Sequence, residues 1–175
     1  MTDTSTTTVT KQIYRVYIKA APAAVWAAIT TPEWSMKYGY GGYSDYELKP
    51  GGKFQIRADE AMKAFPGIPD VIVDGEVVEA DPPRRLVQTW RMLMDPETAA
   101  EGFTRLTYEL QETSAGVTKL TVTHDLTGAP TLASLVAGEG ESQGAGGGWS
   151  FVLSGLKTAL ETGESLRVGM GSDSE

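Results

Sequence analysis

Apolar residues near the end of the chain recur at three- and four-residue spacing: Trp149, Val152, Leu153, Leu156, Ala159 and Leu160. That spacing gathers them on one wide stripe of a helix running from Gly148 through Leu160. Glycines precede the stripe and Gly163 follows it, which predicts sharp ends at both sides. Upstream the period changes to two. Tyr14, Val16, Ile18 and Ala20 alternate with Ile13, Arg15, Tyr17 and Lys19, so Lys11 to Ala20 is expected as a strand with one mainly apolar face. Further strands are expected over Tyr46 to Leu48, Lys53 to Ala58, Val71 to Ala80, Arg85 to Met94, Phe103 to Glu112 and Val117 to Leu126. Pro50-Gly51-Gly52, Asp81-Pro82-Pro83 and Thr113-Ser114-Ala115-Gly116 supply the breaks between them.

One early patch breaks the strand pattern. Pro22 stands where a first helical residue is preferred, and Val25, Trp26 and Ile29 follow at helical spacing. Thr31-Pro32 ends that helix, and a second short turn is expected through Trp34. Four segments read as connections: the tyrosine- and glycine-rich run Tyr38 to Tyr43, Asp59 to Asp70, Asp95 to Gly102, and Thr127 to Gly147. In the last of these, Pro130 to Ala137 is expected to form a helical turn or two, and Gly138 to Gly147 to be mobile.

A lone long helix with such a stripe must bury it against the sheet. The reading is an α+β domain: a curved antiparallel sheet of six or seven strands gripping the C-terminal helix, with two short helices after the first strand. It spans residues 11–165, with a polar leader at 1–10 expected to be disordered and a polar tail at 166–175. A ligand-sized space is expected between helix and sheet.

The formal charge of −8 disfavours nucleic-acid backbones and anionic membrane surfaces. The chain has no cysteine, which excludes disulfides, thiolate metal sites and cysteine nucleophiles. No stretch reaches the ~20 apolar residues of a membrane span, and the Thr/Ser-rich start lacks the apolar segment of a signal peptide. A cytoplasmic protein without membrane insertion is expected. No cofactor or metal is expected either, since His124 is the one histidine and no nucleotide-binding glycine pattern occurs.

A spaced set of motifs then comes into view. It comprises Ala21-Pro22-Ala23-Ala24-Val25-Trp26, Pro50-Gly51-Gly52-Lys53-Phe54, Gly75-Glu76-Val77, Asp81-Pro82-Pro83, Thr89-Trp90, Thr121-Val122-Thr123-His124 and Gly148-Trp149. In this order the chain resembles the START-like, helix-grip superfamily (SRPBCC), and within it the branch of homologues of the activator of heat shock protein 90 ATPase. The resemblance runs from Lys11 to Gly163. It implies the helix-grip fold, and for function a choice among hydrophobic-ligand carriers, aromatase/cyclases, self-protection proteins and co-chaperones. The Asp59 to Asp70 loop and the glycine-rich connection before Gly148 are longer than that pattern.

Candidate chemistry is sparse. Trp26, Trp90 and Trp149 come from three elements and are expected to meet near the helix–sheet interface, as pocket lining or as plain core. Tyr38, Tyr40 and Tyr43 suit a pocket mouth or a glycine-loosened surface loop equally. Tyr108 and Leu153 complete the expected ligand-binding set. His124 shares a face with Leu120, Val122 and Leu126, which makes it a candidate acid/base in the pocket; a histidine satisfied within the core is the plainer alternative. Arg15 and Arg105 suit a ligand carboxylate or an exposed strand face, and Asp74 with Glu76 reads as a solvated face. The leading expectation is a non-catalytic protein binding a small hydrophobic or aromatic molecule. The alternatives are a cyclase or hydrolase using His124, and a co-chaperone-like module, a chaperone partner being the less favoured; a homodimer is allowed by the sequence without being argued by it.

Overall fold

The computed structural model describes residues 10–143 and 146–166. Seven strands form one antiparallel sheet: β1 (Lys11–Ile18), β2 (Tyr43–Tyr46), β3 (Lys53–Arg57), β4 (Val71–Asp81), β5 (Arg85–Met92), β6 (Thr104–Ser114) and β7 (Val117–Asp125). Their spatial order is β1-β7-β6-β5-β4-β3-β2, so the first strand closes against the last and the rest follow as a meander. Among the described residues, six α-helices accompany it: α1 (Pro22–Thr30), α2 (Pro32–Ser35), α3 (Glu60–Lys63), α4 (Pro96–Ala100), α5 (Pro130–Val136) and α6 (Gly148–Thr162). This is the expected helix-grip fold, with α1 and α2 directly after the first strand.

Period-two patterning decides which way each strand faces. On β7, Thr118, Leu120, Val122 and His124 are buried while their neighbours are not. On β6 the inner positions are Thr104, Leu106, Tyr108 and Leu110, and on β5 they are Leu86, Gln88 and Trp90. Helix α6 buries Trp149, Leu153, Leu156 and Ala159 from the expected stripe, with Val152 and Leu160 packed at its borders. It lies along β1 and against α1 and α5.

Two glycines set its placement. Gly163 adopts a left-handed conformation (φ 79°) and ends the helix, its N–H donating to the Ala159 carbonyl. At Gly155 a side chain would come within 3.1 Å of the Gly39 amide, so the missing Cβ lets the Tyr38–Gly39 backbone approach the helix.

Several expectations shift. Two segments read as loops carry single helical turns, because an aspartate caps each: Asp59 accepts from the Met62 amide at 2.9 Å, and Asp95 accepts from Glu97 at 3.3 Å ahead of Pro96. Strand β2 begins at Tyr43 and ends at Tyr46, rather than spanning Tyr46 to Leu48, because pairing runs from Tyr43↔Arg57 to Tyr46↔Phe54. Of the glycine-rich connection, Glu141–Gln143 forms a 3₁₀ turn. Residues 144 and 145, most of the leader and all but the first residue of the tail lie outside the described residues.

Leu156 is 1% exposed at the centre of the helix–sheet contact. Leu156→Ala is expected to lower stability by about 2–5 kcal/mol in urea unfolding, whereas Ser154→Ala, on the solvent side, changes it by less than about 0.5 kcal/mol.

Candidate functional site

His124 is fully buried, and both of its ring nitrogens are engaged. The indole N–H of Trp149, in the first turn of α6, donates to Nδ1 at 3.1 Å. An indole nitrogen only donates, so Nδ1 carries a lone pair and the neutral ring holds its proton on Nε2. That Nε2–H donates to Thr104 Oγ1 at 2.7 Å, and the threonine hydroxyl passes on to the Trp90 carbonyl at 2.8 Å. Trp90 and Trp149 both meet the imidazole edge to face, at centroid distances of 5.4 and 5.9 Å. Loss of water around the ring pulls its pKa down to about 4, against a smaller opposing pull from the Asp125 carboxylate.

A second cluster adjoins the first. Tyr108 stands edge-on to Trp149 at 6.2 Å. Across the β5–β6 pair, Leu106 is opposite Gln88 and Tyr108 opposite Leu86, which makes Tyr108 and Gln88 diagonal neighbours on the inner face. Tyr46, from β2, stacks on Phe54 at 4.6 Å and donates its hydroxyl to Gln88 Oε1 at 2.7 Å. Tyr38 comes from the loop after α2 and donates to the Ala28 carbonyl at 3.0 Å. Burial pushes all three phenols up. For Tyr46 the neighbouring phenols of Tyr108 and Tyr38 add to that, and the bond to Gln88 opposes it. The three rings are each half-buried, while Gln88 is wholly enclosed and its Nε2 is, among the described residues, a buried donor without a partner.

The expected site residues therefore separate. Trp90, Tyr108, His124 and Trp149 are in contact through these bonds and rings, and Tyr38 joins them through the phenol cluster. Trp26 and Leu153 are buried in the same core. Tyr40 is elsewhere: it stacks on Phe151 at 5.0 Å, and its hydroxyl accepts from the Gly147 and Gly148 amides at 2.7 and 3.1 Å. Tyr43 lies beside the exposed Arg57. Arg15 lies on the outer sheet face, in a concavity of about 350 Å³ with Arg84, Glu109, Gln111, Lys119 and Thr121. Asp74 holds Arg91 in a bidentate pair at 2.8 and 3.0 Å. A smaller concavity of about 130 Å³ opens at the β2–β3 edge beside Asp45, Tyr46, Glu47 and Lys53. Neither concavity lies under α6, where Trp26, Trp90, Trp149 and Leu153 are all at most 8% exposed.

Gln88 and Thr104 escaped the sequence reading. The signal for Gln88 was present: it alternates with Leu86 and Trp90, a polar side chain on an apolar face. Among the described residues, no group of three or more acidic or histidine side chains converges as a metal site. No described helix is long and apolar enough to cross a membrane.

A seven-stranded sheet gripping a C-terminal helix, with an inner face of aromatic and neutral polar groups, defines a helix-grip protein. The chain belongs to the family of activator of Hsp90 ATPase homolog 1-like proteins, whose model matches residues 19–161. Solved structures share its fold at low identity. The Aha1 dimer of Colwellia psychrerythraea is 18% identical, with 89% of this chain and 99% of that one covered and a TM-score of 0.60. An HSP90 activator of Plasmodium falciparum is 19% identical, covering 86% and 95%, with a TM-score of 0.57. DynU16, a putative protein in the dynemicin biosynthetic locus, is 23% identical, covering 90% of this chain and 49% of that one, with a TM-score of 0.61. No curated protein matches the chain.

The imidazole makes stability depend on pH. Its folded pKa lies below the unfolded value of about 6.5, so between pH 4 and 6.5 the unfolded chain binds more protons. The contribution is complete above pH 6.5 and is lost as pH falls through about 4; it is on the order of 3 kcal/mol. Urea unfolding across this window should show the decline in the wild type and a flattened profile in His124→Gln. An unchanged slope in the variant would assign the effect to other groups.

Proposed function

We propose that the protein binds a small hydrophobic or aromatic molecule on the inner sheet face, against the rings of Tyr38, Tyr46 and Tyr108 beside Trp149. The observation that carries this reading is the convergence of three half-buried phenols from β2, β6 and the loop after α2, next to the helix. Core-filling aromatics are normally enclosed on all sides; these keep part of their surface open. Binding would remove apolar ligand surface from water at about 25 cal/mol per Å², with few polar groups fixing orientation.

The geometry of His124 supports a non-catalytic protein. A general base needs a free lone pair, and the lone pair of Nδ1 is taken by Trp149. A histidine with a pKa near 4 is also a weak base at neutral pH. Its role in this reading is to hold α6 against β6 and β7.

The family description and the Plasmodium activator favour a second reading, a module that stimulates a chaperone ATPase. Its surface would be the edge strand β1, where Ile13 and Tyr17 are about half exposed. Ile13→Lys/Tyr17→Lys would then abolish stimulation of an Hsp90-type ATPase without altering ligand binding.

Titration with N-phenyl-1-naphthylamine, a neutral apolar fluorophore, tests the leading reading. Saturable, one-to-one binding with quenching of tryptophan emission is expected, and Tyr108→Ala should weaken it roughly tenfold. Failure of this probe to bind the wild type would overturn it.

A further inference from the structure

We infer that the outer face of the sheet holds a separate anion site, in the concavity of about 350 Å³ bounded by Arg15, Arg84, Glu109, Gln111, Lys119 and Thr121, and that it takes a small phosphate monoester with a hydroxylated body, such as a sugar phosphate. It lies on the face opposite the buried rings of Trp149 and Tyr108 and does not depend on the apolar-binding reading.

Strand alternation places these groups together. On β1, Arg15 and Tyr17 project outward while Tyr14, Val16 and Ile18 pack on the core. Thr121 of β7 is the cross-strand partner of Arg15 on one side and of Glu109 on the other; Lys119 is that of Tyr17 and Gln111. Arg15 and Lys119 are therefore diagonal neighbours on one face, close enough for their long side chains to converge. Arg84 enters from the β4–β5 turn, which is tied to β6 by the Leu110 amide donating to the Arg84 carbonyl at 2.8 Å.

The local charge runs against that of the whole chain. Acidic residues outnumber lysine and arginine by 23 to 15, and elsewhere around the sheet Arg57, Arg85 and Arg91 each hold a carboxylate. Arg15 and Lys119 hold none among the described residues, and their cross-strand neighbours Thr121, Tyr17 and Gln111 are neutral. Arg84 pairs with Asp81, which does not line the concavity. Glu109, the one carboxylate that does, already accepts from Arg85 at 3.1 Å. Three cations with one carboxylate leave an excess of two positive charges, on a chain of net charge −8. Like charges set side by side repel, and an anion between them removes that cost.

The donor set narrows the anion. An excess of two positive charges matches the near-dianion of a phosphate monoester at neutral pH. Guanidinium forks suit paired phosphate oxygens, the ammonium of Lys119 supplies a point charge, and the Thr121 hydroxyl and Gln111 amide add neutral donors. Among the described residues no aromatic ring lines the space, so nothing there stacks a nucleobase; Glu109 and Gln111 suit hydroxyl groups instead.

Glucose 6-phosphate, glucose 6-sulfate, glucose and inorganic phosphate, titrated into the full chain at low ionic strength, test the inference by calorimetry and backbone amide chemical shifts. Glucose 6-phosphate is expected to saturate with a Kd of about 1 mM or tighter, with shifts centred on Arg15, Gln111, Lys119 and Thr121. The sulfate has the same shape with one charge fewer, and inorganic phosphate lacks the sugar; each should bind about fivefold to tenfold more weakly, and glucose not measurably. Arg15→Gln and Lys119→Gln should each weaken glucose 6-phosphate about tenfold. Arg105→Gln removes the same charge from β6 outside the concavity, opposite Asp125, and should leave binding unchanged. Thermal unfolding checks that the variants keep the fold, and the ligand series carries the test if one does not. An equal loss in Arg105→Gln means diffuse attraction and overturns the site. Equal affinity for the sulfate or for inorganic phosphate overturns the monoester assignment, and absence of saturation by glucose 6-phosphate overturns the whole proposal.

Discussion

The structure depends on one chain of hydrogen bonds, from the indole of Trp149 through the imidazole of His124 and the hydroxyl of Thr104 to the carbonyl of Trp90. It fixes where α6 begins relative to β5, β6 and β7, because each donor and acceptor has a single partner of the right kind. Apolar packing alone tolerates sliding of a helix along a sheet. A buried polar relay does not, since displacement by one residue would strand three groups in a low-dielectric interior. The surrounding aromatic edges hold the imidazole neutral, so the relay is intact at physiological pH.

Much of this architecture is written in periodicity. The stripe on α6, the alternation along β1, β5, β6 and β7, and the proline at the start of α1 are local signals, and each forms where its pattern places it. The misplacements have local causes as well. Asp59 and Asp95 each close a single helical turn through one cap, too short to leave a periodic trace. Strand β2 slides toward Tyr43 because its register is set by β3, a partner whose pairing is not visible within β2 itself.

The site was less legible, for a reason of the same kind. Alternation showed that His124 faces inward but not that Trp149 and Thr104 would take both nitrogens. Tyr38, Tyr40 and Tyr43 look alike in the sequence, yet one reaches the inner face, one clasps the start of α6 and one lies beside Arg57. Adjacent residues in a turning loop diverge within a few positions. Gln88, by contrast, belongs to a row that crosses the sheet: Gln12, His124, Leu106 and Gln88 are successive cross-strand neighbours. Gln12 in that row is tied to the Ala133 carbonyl and to Tyr14. The inner face thus carries polar side chains at Gln12, His124 and Gln88 in one cross-strand row, interrupted by Leu106.

Helix α6 is fastened at both extremities. Tyr40 receives the amides of Gly147 and Gly148 at its beginning, while near its finish Glu161 accepts the Lys19 amide and Lys157 reaches the Tyr17 carbonyl. Parting the helix from the sheet therefore means breaking polar bonds at two distant places at once, so its two ends are expected to open together rather than fray singly.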